Sequence, residues 1–269
     1  MIAALLYSSS LALAPSSKVA PVLKLRGGLA GVNPDTVASG LLTLASVNSA
    51  YVTLAPEPAA KAYGMSGTDL LQTLMIENMG FLLVGLSIGG WMALKGASAA
   101  QVVAVANIPT LINIVKWLLN GSAAKVGMPN TGNYLNGAIM IATISSLLCG
   151  YGDAGMVINA IAGWWAFNGV IAMAMPDKLA GAYGLAEMDK DTTGLLQSFG
   201  SFMVNMAVFA YLFGSGQPAA KAIGLSFIPG TIVQLDQMFG RKMGVAELDP
   251  APQYFWMLVN LAGIAFTNF

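Results

Sequence analysis

Three ionisable side chains fall within apolar runs long enough to cross a bilayer: Glu77, Lys116 and Asp236. A charge inside a membrane is costly, so it marks a structural ion pair or a working site. At 1.5 Å per residue all three lie roughly 5–10 Å below one membrane face. Lys116 and Asp236 stand 120 positions apart with opposite charge. An ion cluster of Glu77, Lys116 and Asp236 is therefore expected to join the two halves of the chain. The alternative has Lys116 and Asp236 reaching the interface separately, beside Trp117 and Gln237. Asn48 and Asn168 form a second constellation at the same offset. A buried amide in lipid needs a partner, so the pair is expected to bond each other, to line a central cavity, or to glue helices together.

Other chemistry is missing. The chain has no histidine, which removes His-based acid–base catalysis, His-held metals and His-ligated haem. Cys149 is the single cysteine, so no intramolecular disulfide or thiolate cluster can form, and its apolar setting reads as inert packing. No phosphate-binding loop, nucleophile elbow or metal-ligand spacing occurs. These absences point away from an enzyme and from any metal site. The Trp164-Trp165 and Phe167 aromatics could stack a pigment or quinone, but packing against lipid or helices explains them as well.

The elements that carry these residues follow from composition. The 269 residues are 56% hydrophobic and 9% charged, with mean hydropathy +0.69. A chain this poor in charge cannot cover a water-facing surface, so most of its exterior must face lipid. Formal charge is zero, which gives nucleic-acid binding no electrostatic support. Uncharged runs of 21 residues between Asp35 and Glu57, 20 between Lys95 and Lys116, and 23 between Asp153 and Asp177 match the ~20 residues a spanning helix needs. The spacing predicts an all-α polytopic protein with spans near 36–55, 70–94, 98–119, 134–150, 156–175, 194–214, 218–238 and 253–269.

These eight spans read as one unit written twice. Pro56-Glu57 and Ala62-Tyr63-Gly64-Met65 return as Pro176-Asp177 and Ala182-Tyr183-Gly184-Leu185, and Ile108-Pro109 as Ile228-Pro229. Leu70-Leu71-Gln72 pairs instead with Leu195-Leu196-Gln197, which implies a longer loop before that span. The expected organisation is a leader over 1–28, a four-helix repeat over 29–152 and a second over 153–269. An even number of spans per unit makes the repeats parallel, related by an axis along the membrane normal. Lys61, Lys116, Lys125, Lys178, Lys190, Arg241 and Lys242 fall on one side, against Lys95 and Lys221 on the other. The basic side is then the non-translocated one, with both termini opposite it. The Asn120-Gly121-Ser122 sequon faces the basic side and is expected to be unmodified.

Met1 to Ala14 is an apolar segment too short to span, followed by an acid-free stretch with Lys18, Lys24 and Arg26. This leader resembles the two-part plastid presequences of algae with secondary plastids, and implies a thylakoid or envelope membrane. An ordinary secretory signal is the alternative. Each unit, an apolar span, Pro56-Glu57-Pro58-Ala59-Ala60-Lys61-Ala62-Tyr63-Gly64, then a span with Gly80, Gly85 and Gly89, resembles small four-helix membrane proteins of the DoxX-like kind. That resemblance implies a helical bundle and, for some members, a place in quinone-linked systems.

Three functions are then open. The first is a non-catalytic structural or assembly subunit of a membrane complex, with lipids and other subunits as partners and no cofactor of its own beyond a pigment, lipid or quinone. The second is a small-molecule or lipid transporter with a path between the repeats lined by Asn48, Asn168 and Glu77. The third is a quinone-linked redox subunit. A polar cavity between the halves would favour the second.

Overall fold

Side chains of Asn33, Asp69, Ser98, Asp153 and Asp189 each accept a hydrogen bond from a backbone N–H in the first turn of the helix they precede. These caps place the long helices, because the first N–H groups of a helix have no internal partner. The computed structural model describes residues 31–65, 67–185, 188–240 and 250–268. The expected leader over 1–28, together with Arg241 and Lys242, lies outside them.

The first half contains α1 (Pro34–Leu54), the short connector helix α2 (Pro56–Ala62), α3 (Leu70–Leu94), α4 (Ala99–Asn120), the single turn α5 (Ser122–Lys125) and α6 (Thr131–Cys149). The second contains α7 (Ala154–Ala174), the connector helix α8 (Pro176–Ala182), α9 (Lys190–Gly214), α10 (Ala219–Ser226), α11 (Ile228–Leu235), a π turn over Asp236–Gly240, and α12 (Pro250–Asn268). No strand occurs among the described residues. The protein is thus an all-helical membrane protein. Five helices (α1, α3, α4, α7 and α9) are long and apolar enough to cross a membrane by length and composition.

The expected spans fall on helices, with two differences. The span expected over 194–214 begins earlier, at Lys190. Asp69 and Asp189 cap α3 and α9 alike, and both helices run 25 residues. The similarity of Leu70-Leu71-Gln72 to Leu195-Leu196-Gln197 is one of composition, because cap chemistry sets where a helix starts and apolar interior residues are interchangeable along it. The expected span over 218–238 is also broken. Pro109 sits inside an unbroken α4, whereas Pro229 opens α11 after a break at Phe227. Proline removes one helical hydrogen bond in both places. Around Pro229 the helix is weakened further by Gly224 and Gly230, where Ala104 and Thr110 stand around Pro109.

The connectors share a backbone. Ala55 and Met175 enter at φ −139°, ψ 60° and φ −142°, ψ 56°. Tyr63 and Tyr183 end the short helices at φ −91° and −93°, and Gly64 and Gly184 follow at φ +93° and +76°. That left-handed conformation is open to glycine at no steric cost.

Helices α3 and α9 pack on each other at the centre. In the first half α3 lies between α1 and α4, and α4 carries α6. In the second half α9 lies between α7 and the α10–α11 pair, on which α12 packs. The halves close on each other as α12 meets α1 and α6 meets α7. Glycines set the closest approaches. A Cβ at Gly200 would lie 2.6 Å from the Gly169 carbonyl oxygen, and one at Gly80 would lie 2.2 Å from Thr53 Oγ1. Small residues at such crossings let helix backbones touch where lipid offers no hydrophobic drive. Gln72 of α3 also reaches the cap of α9, donating to Asp189 Oδ2 at 3.3 Å and Thr192 Oγ1 at 3.2 Å. Phe209, Leu82, Leu86, Ile161 and Val102 fill the shared core.

Candidate functional site

The polar side chains of the bundle gather around two cavities. The larger has a volume of about 170 Å³. Its walls are α1 and α2 with the face of α3 on one side, and α9, α11, the π turn and α12 on the other. Asn48 and Tyr63 reach it from the first half; Ser198, Asn205, Gln237, Gln253, Trp256 and Asn260 reach it from the second. Ile76, Met79, Leu83, Leu195 and Phe202 supply its apolar lining. None of the described residues lining it carries a charge.

These groups are held by one another. The Tyr63 hydroxyl donates to Asn48 Oδ1 at 2.9 Å, and Tyr63 is also hydrogen-bonded to Trp256. Gln237 donates to Ser198 Oγ at 2.9 Å, Asn260 to Gln234 Oε1 at 3.1 Å, and the Gly230 N–H to Asn205 Oδ1 at 3.2 Å. Burial raises the Tyr63 phenol above its ordinary value, against the opposing pull of its bonds to Trp256 and Asn48. The phenol therefore stays neutral at physiological pH. A wall of fixed amides, hydroxyls and an indole around apolar side chains suits a neutral amphipathic molecule: the apolar groups supply area and the polar groups orientation.

The smaller cavity, about 110 Å³, lies against α7 and the α8 connector. Asn168 and Tyr183 line it, with Asn78 from α3, Thr110 and Trp117 from α4, and Asn133 and Asn136 from α6. Asn48 and Asn168 therefore do not meet, and they do not share a central cavity. Each serves its own chamber, because α3 and α9 occupy the centre and separate α1 from α7. They also differ in partner: Asn168 donates to the Trp164 carbonyl oxygen of its own helix at 2.9 Å.

The expected ion cluster contracts to a pair. The Lys116 ammonium meets Glu77 Oε1, and beside it Asn113 donates to Asn78 Oδ1. Glu77 is buried and Lys116 is half exposed, so the lysine brings its charge in from the basic side of the bundle. Asp236 does not join them. The pair bridges α3 and α4, adjacent helices of one half, whereas Asp236 opens the π turn of the other. Gln197, 120 positions after Glu77, donates to the Met173 carbonyl oxygen at 3.2 Å. Glu77 lines neither cavity, so Asn48, Asn168 and Glu77 do not mark one path.

Trp164 and Trp165 are tied by their indole N–H groups to Asn136 Oδ1 at 3.1 Å and Asn107 Oδ1 at 3.0 Å. Trp165 also lines the smaller cavity. The residues that sequence reasoning passed over are those of α12. Gln253, Trp256 and Asn260 recur at spacings of three and four, which puts them on one helix face. That polar stripe was the signal available for the larger cavity. Among the described residues no three Cys, Asp or Glu side chains come together as ligands for a metal ion. Comparison with protein-family models, curated proteins and solved structures finds no match in any of the three.

Proposed function

We propose that this chain is a duplicated eight-pass membrane protein that binds a neutral, amphipathic small molecule or lipid between its halves and carries it across or along the membrane. The single observation behind this reading is the cavity around Tyr63, Asn48 and Trp256, walled by helices of both halves and lined, among the described residues, by no charged side chain. A molecule held there would exchange hydrogen bonds with Asn, Gln, Ser and Tyr side chains and lay its apolar body against Met79, Leu83 and Phe202.

The duplication is supported by the matching caps, connectors and neighbours at an offset of 120. Two like halves packed across a central helix pair are a common way to build a carrier, because rocking one half on the other opens a site between them first to one side and then to the other. Eight passes follow if α6, the α10–α11 pair and α12 cross beside the five long apolar helices. Residence in a plastid membrane rests on the leader's composition alone.

Native mass spectrometry of the full-length protein, released from mild detergent, tests the binding reading. The expected result is a co-purifying neutral small molecule or lipid that is retained by wild type and depleted in Tyr63→Phe and Trp256→Leu. Equal retention by wild type and both variants would overturn it, as would wild type carrying no bound molecule.

A further inference from the structure

The two cavities differ in how their polar groups are satisfied. In the larger one, Gln237 donates to Ser198, and the backbone N–H of Gly230 donates to Asn205. The corresponding positions in the first half are Trp117 and Thr110, and both line the smaller cavity. Trp117 is 5% exposed and Thr110 is 8% exposed, yet no protein group meets Trp117 Nε1 or Thr110 Oγ1. An indole N–H can only donate, so it can be satisfied only by an acceptor. Buried polar atoms in native proteins nearly always have a partner, and one that faces a cavity can find it in a molecule bound there.

We propose that the smaller cavity is a second binding site, which takes an apolar molecule through a carbonyl oxygen that accepts a hydrogen bond from the Trp117 indole N–H. Thr110 lies seven residues earlier in α4, two turns deeper on the same face, and offers a second polar contact. Met75, Phe199 and Met203 give the rest of the molecule an apolar bed. Trp117 stands three residues before the end of α4, so its donor lies roughly 5 Å inside the helix end. That is the interfacial depth at which tryptophan is enriched in membrane proteins. An acyl-ester carbonyl of a surrounding lipid and the carbonyl of a free ketone present the same acceptor. The site rests on the smaller cavity alone and does not depend on the larger one being occupied.

The test uses the full chain with ¹⁵N-indole-labelled tryptophan in lipid nanodiscs. Trp117→Phe identifies one of the five indole N–H resonances. In nanodiscs of diether lipid, which has no carbonyl, 2-butanone is titrated against its hydrocarbon counterpart 2-methyl-1-butene. The Trp117 resonance should move downfield and saturate with the ketone only. Tyr63→Phe should leave that response unchanged. The resonance position in diester nanodiscs identifies the natural source. A downfield position there, before any ketone is added, assigns a lipid ester. A position equal to that in diether lipid, with the ketone response intact, assigns a free carbonyl compound. No ketone response in either lipid, or an equal response to the hydrocarbon, would overturn the site.

Discussion

The Tyr63 hydroxyl donates to Asn48 Oδ1 at 2.9 Å and so ties the first connector back to the helix it follows. The second half does not repeat this bond. Asn168 bonds its own helix, and Tyr183 packs against Gly132, where an added Cβ would lie 2.5 Å from the ring. Two connectors with the same backbone therefore present different side-chain chemistry to two cavities. If Tyr63 and Asn48 are coupled, a double-mutant cycle of Tyr63→Phe and Asn48→Leu should return an interaction energy of about 0.6 kcal/mol, the usual scale for side-chain bonds inside membranes. Thermal unfolding in detergent reads it, and additive effects would show that the bond contributes nothing.

Lys116 neutralises a buried carboxylate. Lys116→Met should lower stability by about 1–2 kcal/mol, less than a fully buried pair because the ammonium is half exposed and screened. Adding Glu77→Gln, which copies the residue at the matching second-half position, should restore most of the loss. An unchanged melting midpoint in Lys116→Met would remove the ion pair from the list of structural contacts.

The α7–α9 crossing leaves no room for a methyl group. Gly200→Ala places a Cβ 2.6 Å from the Gly169 carbonyl oxygen and should destabilise by about 1–3 kcal/mol through overpacking. Gly163→Ala, which meets nothing within 4 Å on α7, should be neutral or slightly stabilising because alanine favours helix. Equal melting midpoints for the two variants would contradict the close approach.

Asp189 makes the fold sensitive to acid. The Thr192 hydroxyl and then the Thr192 N–H, with a smaller part from Gln72, hold its carboxyl below the usual 3.8. A depressed folded value means that the stabilisation is present above pH 3.8 and is lost as pH falls through the folded value. Melts taken from pH 5 to pH 3 should show a decline that Asp189→Asn makes shallower. Parallel curves for the two proteins would exclude Asp189 as a contributor.

Cys149 reports orientation. It is exposed at the end of α6, which the expected eight-pass topology places opposite the basic loops. A membrane-impermeant maleimide should label it from the side that carries both termini, and Asn120 should carry no glycan. Labelling from the basic side would reverse the topology.

The class of protein was legible without coordinates, because a chain with so few charges has no way to cover a water-facing surface and its uncharged runs match a bilayer's thickness. The connectors and the Glu77–Lys116 attraction were readable because each depends on residues close in sequence or on strong chemistry in adjacent helices. Three features depended on tertiary structure. Pro109 and Pro229 look alike in sequence, but α4 runs unbroken through the first while the second opens a new helix after Phe227. Asn48 and Asn168 look like partners, but the central packing of α3 on α9 puts them in separate chambers. Asp236 looks like a third member of an ion cluster, but Lys116 pairs with Glu77 alone and Asp236 opens the π turn. Periodicity and charge report what each helix would bury. Which helix lies opposite depends on how small residues let backbones approach, and that is set only when all the helices pack at once.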